Sequence, residues 1–252
     1  CLGATASALT ATGTGLIWYT SATGGVGSST APIPNTDTIG SKTYWVSQSD
    51  TTGCPGLRAE IIVIVHGEPN APSVSTPVNY CQGSLTSALT ASAASGDTLK
   101  WYTTATGGTP SLTAPTPSSS TVGTTTYYVS ATSKYGCGEG LRSAIVVNIN
   151  SVPSPPVVVS PVIYCIGATP SALSATGTSL KWYSTPTGGS GVTTTPFPIT
   201  GTAGTYKYYV SQTNAVGCES ARDSIIVTIN SAPSAPVVTS PVNYCVGETA
   251  TA

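Results

Sequence analysis

Ten residues, LKWYTTATGG from Leu99 to Gly108, recur twice with small changes: LIWYTSATGG from Leu16 to Gly25 and LKWYSTPTGG from Leu180 to Gly189. A chain that repeats itself at a fixed period folds as an array of similar small units, each contacting its neighbours. The ruler is strict. Cys1, Cys81, Cys165 and Cys245 open successive units at separations of 80, 84 and 80 residues. Within the units, Trp18 to Tyr44, Trp101 to Tyr127 and Trp182 to Tyr208 are each 26 residues, and those tyrosines precede Cys54, Cys137 and Cys218 by 10. The second unit's extra residues lie before Trp101, around SAASGD, and just after Cys137, where loops are expected. The ruler divides the chain into 1–66 (a unit without its first strand), 67–150, 151–230 and the start of a further unit at 231–252.

Each unit reads as strands. Leu9/Ala11, Leu89/Ala91 and Leu173/Ala175 alternate with polar neighbours. Leu99 and Trp101 share one face and Lys100 and Tyr102 the other; Ile145, Val147 and Ile149 alternate in the last strand. This is period-two patterning in β-branched and aromatic residues. The glycine pairs that end each ten-residue motif supply turns needing positive φ. Prolines recur between units at Pro69/Pro72/Pro77, Pro153/Pro156/Pro161 and Pro233/Pro236/Pro241. They read as a stiff linker followed by an edge strand, because proline has no N–H to give a ladder. Short strands, frequent turns and a Cys…Trp…Cys order predict an all-β chain of tandem immunoglobulin-like β-sandwich repeats strung end to end as a rod.

Charge narrows the partners. Only 7% of the residues are charged, eight basic and nine acidic, against about 25% in an average soluble domain. So small a field argues against nucleic-acid binding and electrostatic membrane docking. The longest aliphatic run, Ile61 to Val65, is far short of a membrane span. With no methionine and both ends falling inside a repeat, the chain reads as a window on a longer protein. No cofactor or metal site is expected: there is one histidine and no CxxC, and the four Asp and five Glu form no calcium loop. His66 stands where Asn150 and Asn230 stand in the other units and reads as a polar strand end. One histidine cannot supply a catalytic triad to every repeat, so no enzyme is expected.

Seven cysteines give two per unit plus Cys245. Pairing within units (Cys1–Cys54, Cys81–Cys137, Cys165–Cys218) is the expectation. The alternative joins neighbours as Cys54–Cys81, Cys137–Cys165 and Cys218–Cys245; spacing alone does not decide. Either scheme places the chain in an oxidising, extracellular compartment. Trp18, Trp101 and Trp182 read as core. Tyr19, Tyr102 and Tyr183 on one strand, and Trp45, Tyr128 and Tyr209 on its neighbour, are expected to face outward as aromatic pairs. They would serve as cross-strand support, a glycan-stacking platform or a bundling surface. Arg58, Arg142 and Arg222, just after the second cysteine, read as a salt link or a cover over an aromatic.

The motif series CxG, SALTA, LKWY, TGG, YYVS, GC, Arg and IVVxI resembles the tandem Ig-like repeats of very large surface adhesins of Bacteroidota. These include the SprB-type gliding-motility adhesins exported by the type IX secretion system. The resemblance covers the whole chain. It implies a cell-surface stalk whose partners are further repeats of the same chain, surface polysaccharide or neighbouring filaments. In addition, all four aspartates precede Ser or Thr, in DTI, DTT, DTL and DSI. That pattern is similar to the O-glycosylation signal of the phylum and makes Thr38, Thr51, Thr98 and Ser224 candidate acceptors.

Overall fold

A computed structural model describes residues 1–250. Every regular element in them is a β-strand. The chain divides into two compact bodies, one of residues 1–150 and one beginning at Ser151. The first body holds the first two repeats. Strands β1 (Ile17–Tyr19), β2 (Gly40–Ser47) and β3 (Ala59–Val65) form an antiparallel three-stranded sheet. The second repeat comprises β4 (Ser73–Val74), β5 (Val78–Cys81), β6 (Ala91–Ser92), β7 (Thr98–Tyr102), β8 (Gly123–Thr132) and β9 (Ser143–Asn150). Its four-stranded sheet has the order β5-β9-β8-β7, and β4 pairs with β6 in a separate two-stranded sheet.

The second body repeats this plan with β10 (Val157–Val158), β11 (Val162–Cys165), β12 (Ala175–Thr176), β13 (Lys181–Tyr183), β14 (Gly204–Ser211) and β15 (Asp223–Asn230). Its sheets have the orders β11-β15-β14-β13 and β10-β12.

In each complete repeat the inner faces of the two sheets enclose one core. Leu89, Trp101, Val129, Ile145, Val147 and Ile149 make one, with Val74 and Ala91 of the small sheet packed against it. Leu173, Trp182, Val210, Ile225, Val227 and Ile229 make the other, under Val158 and Ala175. These are the residues that the period of two assigns inward. The first repeat has no counterpart of the small sheet among the described residues. Its Ile61 and Val63 are accordingly only half buried, whereas Ile145 and Val147 are each 1% exposed.

The proline stretch is not a free linker. Pro72 and Pro156 are buried, and Ser143 Oγ donates to Pro72 O at 2.5 Å. After β4 the chain crosses from the small sheet to the large one at the cis Thr76–Pro77 bond; Ser160–Pro161 does the same after β10. Thr76 Oγ1 and Ser160 Oγ accept from Val146 N and Ile226 N, so the kink leaves those ladder donors satisfied. Beyond it, β5 runs parallel to β9 and β11 parallel to β15. The second strand of a complete repeat and its last are thus hydrogen-bonded side by side, with the second at the sheet edge, as the edge-strand reading of the prolines anticipates.

Candidate functional site

The expected aromatic pairs exist in the register. Tyr19 lies opposite Trp45, Tyr102 opposite Tyr128 and Tyr183 opposite Tyr209. They do not form open platforms. Tyr102 and Tyr183 are only 6% and 9% exposed, because an arginine covers each ring. The guanidinium carbon of Arg142 lies 3.3 Å from the Tyr102 centroid, that of Arg222 3.2 Å from Tyr183, and that of Arg58 3.3 Å from Tyr19. A planar guanidinium stacks on a ring and still donates from its edge. Arg142 donates to Thr104 O, Arg222 to Thr185 O and Arg58 to Ser21 O, each at 2.7 Å. Arg222 reaches Gly188 O as well, at 2.8 Å. The arginine therefore clamps the turn that ends in the glycine pair. Both glycines of that turn have positive φ, 63° and 77° at Gly107 and Gly108, a conformation costly for any residue with a Cβ. Trp45, Tyr128 and Tyr209 are half buried.

At the hydroxyl of the covered tyrosine sits a carboxylate that the sequence did not single out. Glu139 accepts from Tyr102 Oη and Ser130 Oγ, both at 2.6 Å, and from Lys100 Nζ at 3.1 Å. Ser130 is fully buried. The third repeat rebuilds the cluster: Glu219 accepts from Tyr183 Oη at 2.5 Å, Ser211 Oγ at 2.6 Å and Lys181 Nζ at 3.1 Å. Burial pushes the Glu139 carboxyl up, but the hydrogen bonds from Ser130, Tyr102 and Lys100, with the charge of Lys100, outweigh it and bring it down to about 2. The same balance lowers Glu219. In the first repeat Pro55 holds the glutamate's place, as its bridge to Ser49 marks, and Ile17 that of the lysine. There Ser47 Oγ is buried without a partner. Lysine and glutamate are present together or absent together, as a charge-balanced cluster requires. The available signal was the recurrence of Lys100 and Lys181 beside glutamates just past the second cysteine.

The cysteines contradict both expected pairings. Cys1 is bonded to Cys137, with 5.1 Å between Cα atoms. Cys81 and Cys218 are each disulfide-bonded as well. Cys54, Cys165 and Cys245 are exposed free thiols. The reason lies in β5 and β9. Cys81 pairs with Asn150 at the far end of β9, whereas Cys137 precedes the near end of that eight-residue strand. Eight residues span about 26 Å, and a disulfide needs Cα atoms within about 7 Å. The two cysteines of one repeat therefore lie at opposite ends of its sandwich. The end that carries Cys1 meets the β8–β9 hairpin of the next repeat instead, where His66 stacks on Tyr135 with ring centroids 3.6 Å apart and planes 7° from parallel.

Of the candidate glycan acceptors, Thr38, Thr51 and Thr98 are exposed, and Ser224 is half buried in β15 opposite Tyr209. Three of the preceding aspartates also shape turns or loops. Asp50 Oδ1 accepts from Thr52 N and Cys54 N, both at 2.9 Å, Asp97 Oδ1 from Lys134 N at 3.0 Å and Asp37 Oδ2 from Asn35 Nδ2 at 3.1 Å. No group of three or more His, Cys, Asp or Glu among the described residues is placed to hold a metal. No helix there is long and apolar enough to cross a membrane.

A family profile described as Ig-like domain, CHU_C associated, matches residues 69–150 and 153–230, together more than half of the chain. No curated protein sequence matches. Among solved structures, the chain is similar to the fibronectin(III)-like modules of Clostridium thermocellum CbhA (15% identity, 64% of this chain and 94% of that one, TM-score 0.38). It is also similar to the human desmocollin-1 ectodomain (9% identity, 85% and 52%, TM-score 0.31) and to mouse cadherin-23 EC22-24 (12% identity, 76% and 74%, TM-score 0.26).

Proposed function

Because the chain belongs to the Ig-like domain, CHU_C associated, family, we propose that it is a load-bearing, non-enzymatic segment of an extracellular adhesin or surface filament. The observation that carries this reading is the parallel pairing of each complete repeat's first long strand with its last, β5 with β9 and β11 with β15. Tension applied at the two ends of such a repeat pulls these neighbours past each other along their length. Their ladder bonds are then loaded together rather than one after another, which is the geometry that resists extension best. The Cys1–Cys137 bond adds a covalent bypass and persists in an oxidising, extracellular setting.

The finer reading, a type IX secretion substrate that serves as a stalk for attachment or gliding, rests on the motif resemblance, and the rod-like stringing of repeats on the prolines that recur between units. The arginine covers favour support over glycan stacking: each takes one ring of its aromatic pair for its own repeat. Single-molecule pulling of residues 1–252 tests the proposal. The expected trace has force peaks from the complete repeats and gains contour length when reductant is added. Low-force, featureless extension, the same with and without reductant, would overturn it.

A further inference from the structure

We infer that these repeats form their cystine across the boundary, from the first cysteine of one repeat to the second cysteine of the next. By the same inference, Cys165 and Cys54 are the two complementary halves of that joint, each shaped for a further repeat of the same kind. The inference deepens the array reading but stands on cysteine geometry, so a failed pulling experiment would leave it untouched.

The formed joint shows what each half requires. The first half is a turn at the exit end of a sandwich. Ala4 N donates to Cys1 O at 3.1 Å, Leu2 N to His66 O at 2.8 Å and Gly3 N to Thr36 O at 2.9 Å. Cys165 sits in the same turn: Ala168 N donates to Cys165 O at 3.1 Å, Ile166 N to Asn230 O at 2.9 Å and Gly167 N to Thr200 O at 3.0 Å. The second half is the hairpin before the last strand. At Cys137, Gly136 has φ 76° and its N donates to Ser133 O at 3.1 Å; at Cys54, Gly53 has φ 85° and its N donates to Asp50 O at 3.0 Å. Asp50 Oδ1 further fixes Cys54 N.

Both free thiols are exposed, so the bonded and free copies share one local geometry and differ in partner. The ring stack is not shared, since Asn230 and Thr52 stand where His66 and Tyr135 meet. The sulfur pair is therefore the common element. An interface whose two halves differ and lie on different repeats is heterologous and propagates head to tail.

A second copy of the chain supplies the further repeat for a test, with oxidised glutathione as oxidant. The Cys165 thiolate attacks one glutathione sulfur, forming a mixed disulfide and expelling a glutathione thiolate. The Cys54 thiolate of another copy attacks the Cys165 sulfur and expels the second glutathione. Two protein thiols are oxidised, one glutathione disulfide is reduced to two thiols, and the thiol protons pass to the expelled thiolates. Cys245→Ser removes the remaining free thiol in all samples.

The Cys54→Ser and Cys165→Ser versions of that chain, mixed in a glutathione redox buffer, each carry one half of the joint. Non-reducing electrophoresis and peptide mapping are expected to find the Cys54–Cys165 heterodimer well above its statistical share. The chain with both thiols is expected to grow into a ladder built on that one link. A statistical mixture of the three possible links, or glutathionylated monomer alone, would overturn the inference.

Discussion

Glu139 gathers three donors within its repeat. It is the acceptor for a fully buried hydroxyl, a covered tyrosine and a lysine at once. Its carboxyl titrates at about 2 in the fold against an ordinary 4.5, so the stability it contributes is complete above the ordinary value. That contribution is lost as pH falls from about 4.5 toward 2. Glu139→Gln is therefore expected to lower the unfolding midpoint at neutral pH and to approach the parent chain at low pH. Thermal unfolding followed from pH 7 to about 2 checks this; parallel curves would contradict it. The first repeat allows the opposite experiment. Supplying Pro55→Glu together with Ile17→Lys gives Ser47 Oγ the acceptor it lacks. The double variant is expected to stabilise that repeat by about 1–2 kcal/mol in denaturant titration, and Ile17→Lys alone to give no gain. Neither Glu139 nor Glu219 stood out in the sequence, because a lone Glu near a turn looks like solvated surface until the fold brings Tyr, Ser and Lys to it.

At the scale of the element, the alternating strands were readable in advance, and the residues they assign inward are those the cores contain. The pairing of each WY strand with the strand that carries its partner aromatic was readable too. The parallel pairs β5/β9 and β11/β15 were not. They join segments about seventy residues apart with three strands between them in sequence, and no local pattern records that partner. Burial differs between equivalent strands for the same reason. Val147 is 1% exposed, while Val63, its counterpart in β3, is half buried. Val147→Ala is expected to cost about 2–3 kcal/mol and Val63→Ala under about 1 kcal/mol. Chemical denaturation of the two variants measures the difference, and equal losses would contradict the packing described here.

For the whole molecule, the Cys1–Cys137 bond closes a loop with a sequence separation of 136 residues. In the chain-entropy model a loop that long stabilises by about 5 kcal/mol. In the pulling experiment it withholds the entire first repeat and most of the second from extension. At about 3.4 Å per residue, opening this one bond is expected to release roughly 460 Å of additional contour length, where opening a single bond within a repeat would release less than half as much. The amino-acid sequence by itself determined the repeat, its period-two strands, its inward residues and its poverty of charge, because these depend on order along the chain. Only the tertiary structure decided which cysteines meet, which tyrosines are covered and which carboxylate gathers the buried hydroxyls. Those outcomes depend on which ends and faces of the sandwich lie within a few ångströms of each other, and a sandwich eight residues long keeps its two cysteines about 26 Å apart however close they stand in sequence.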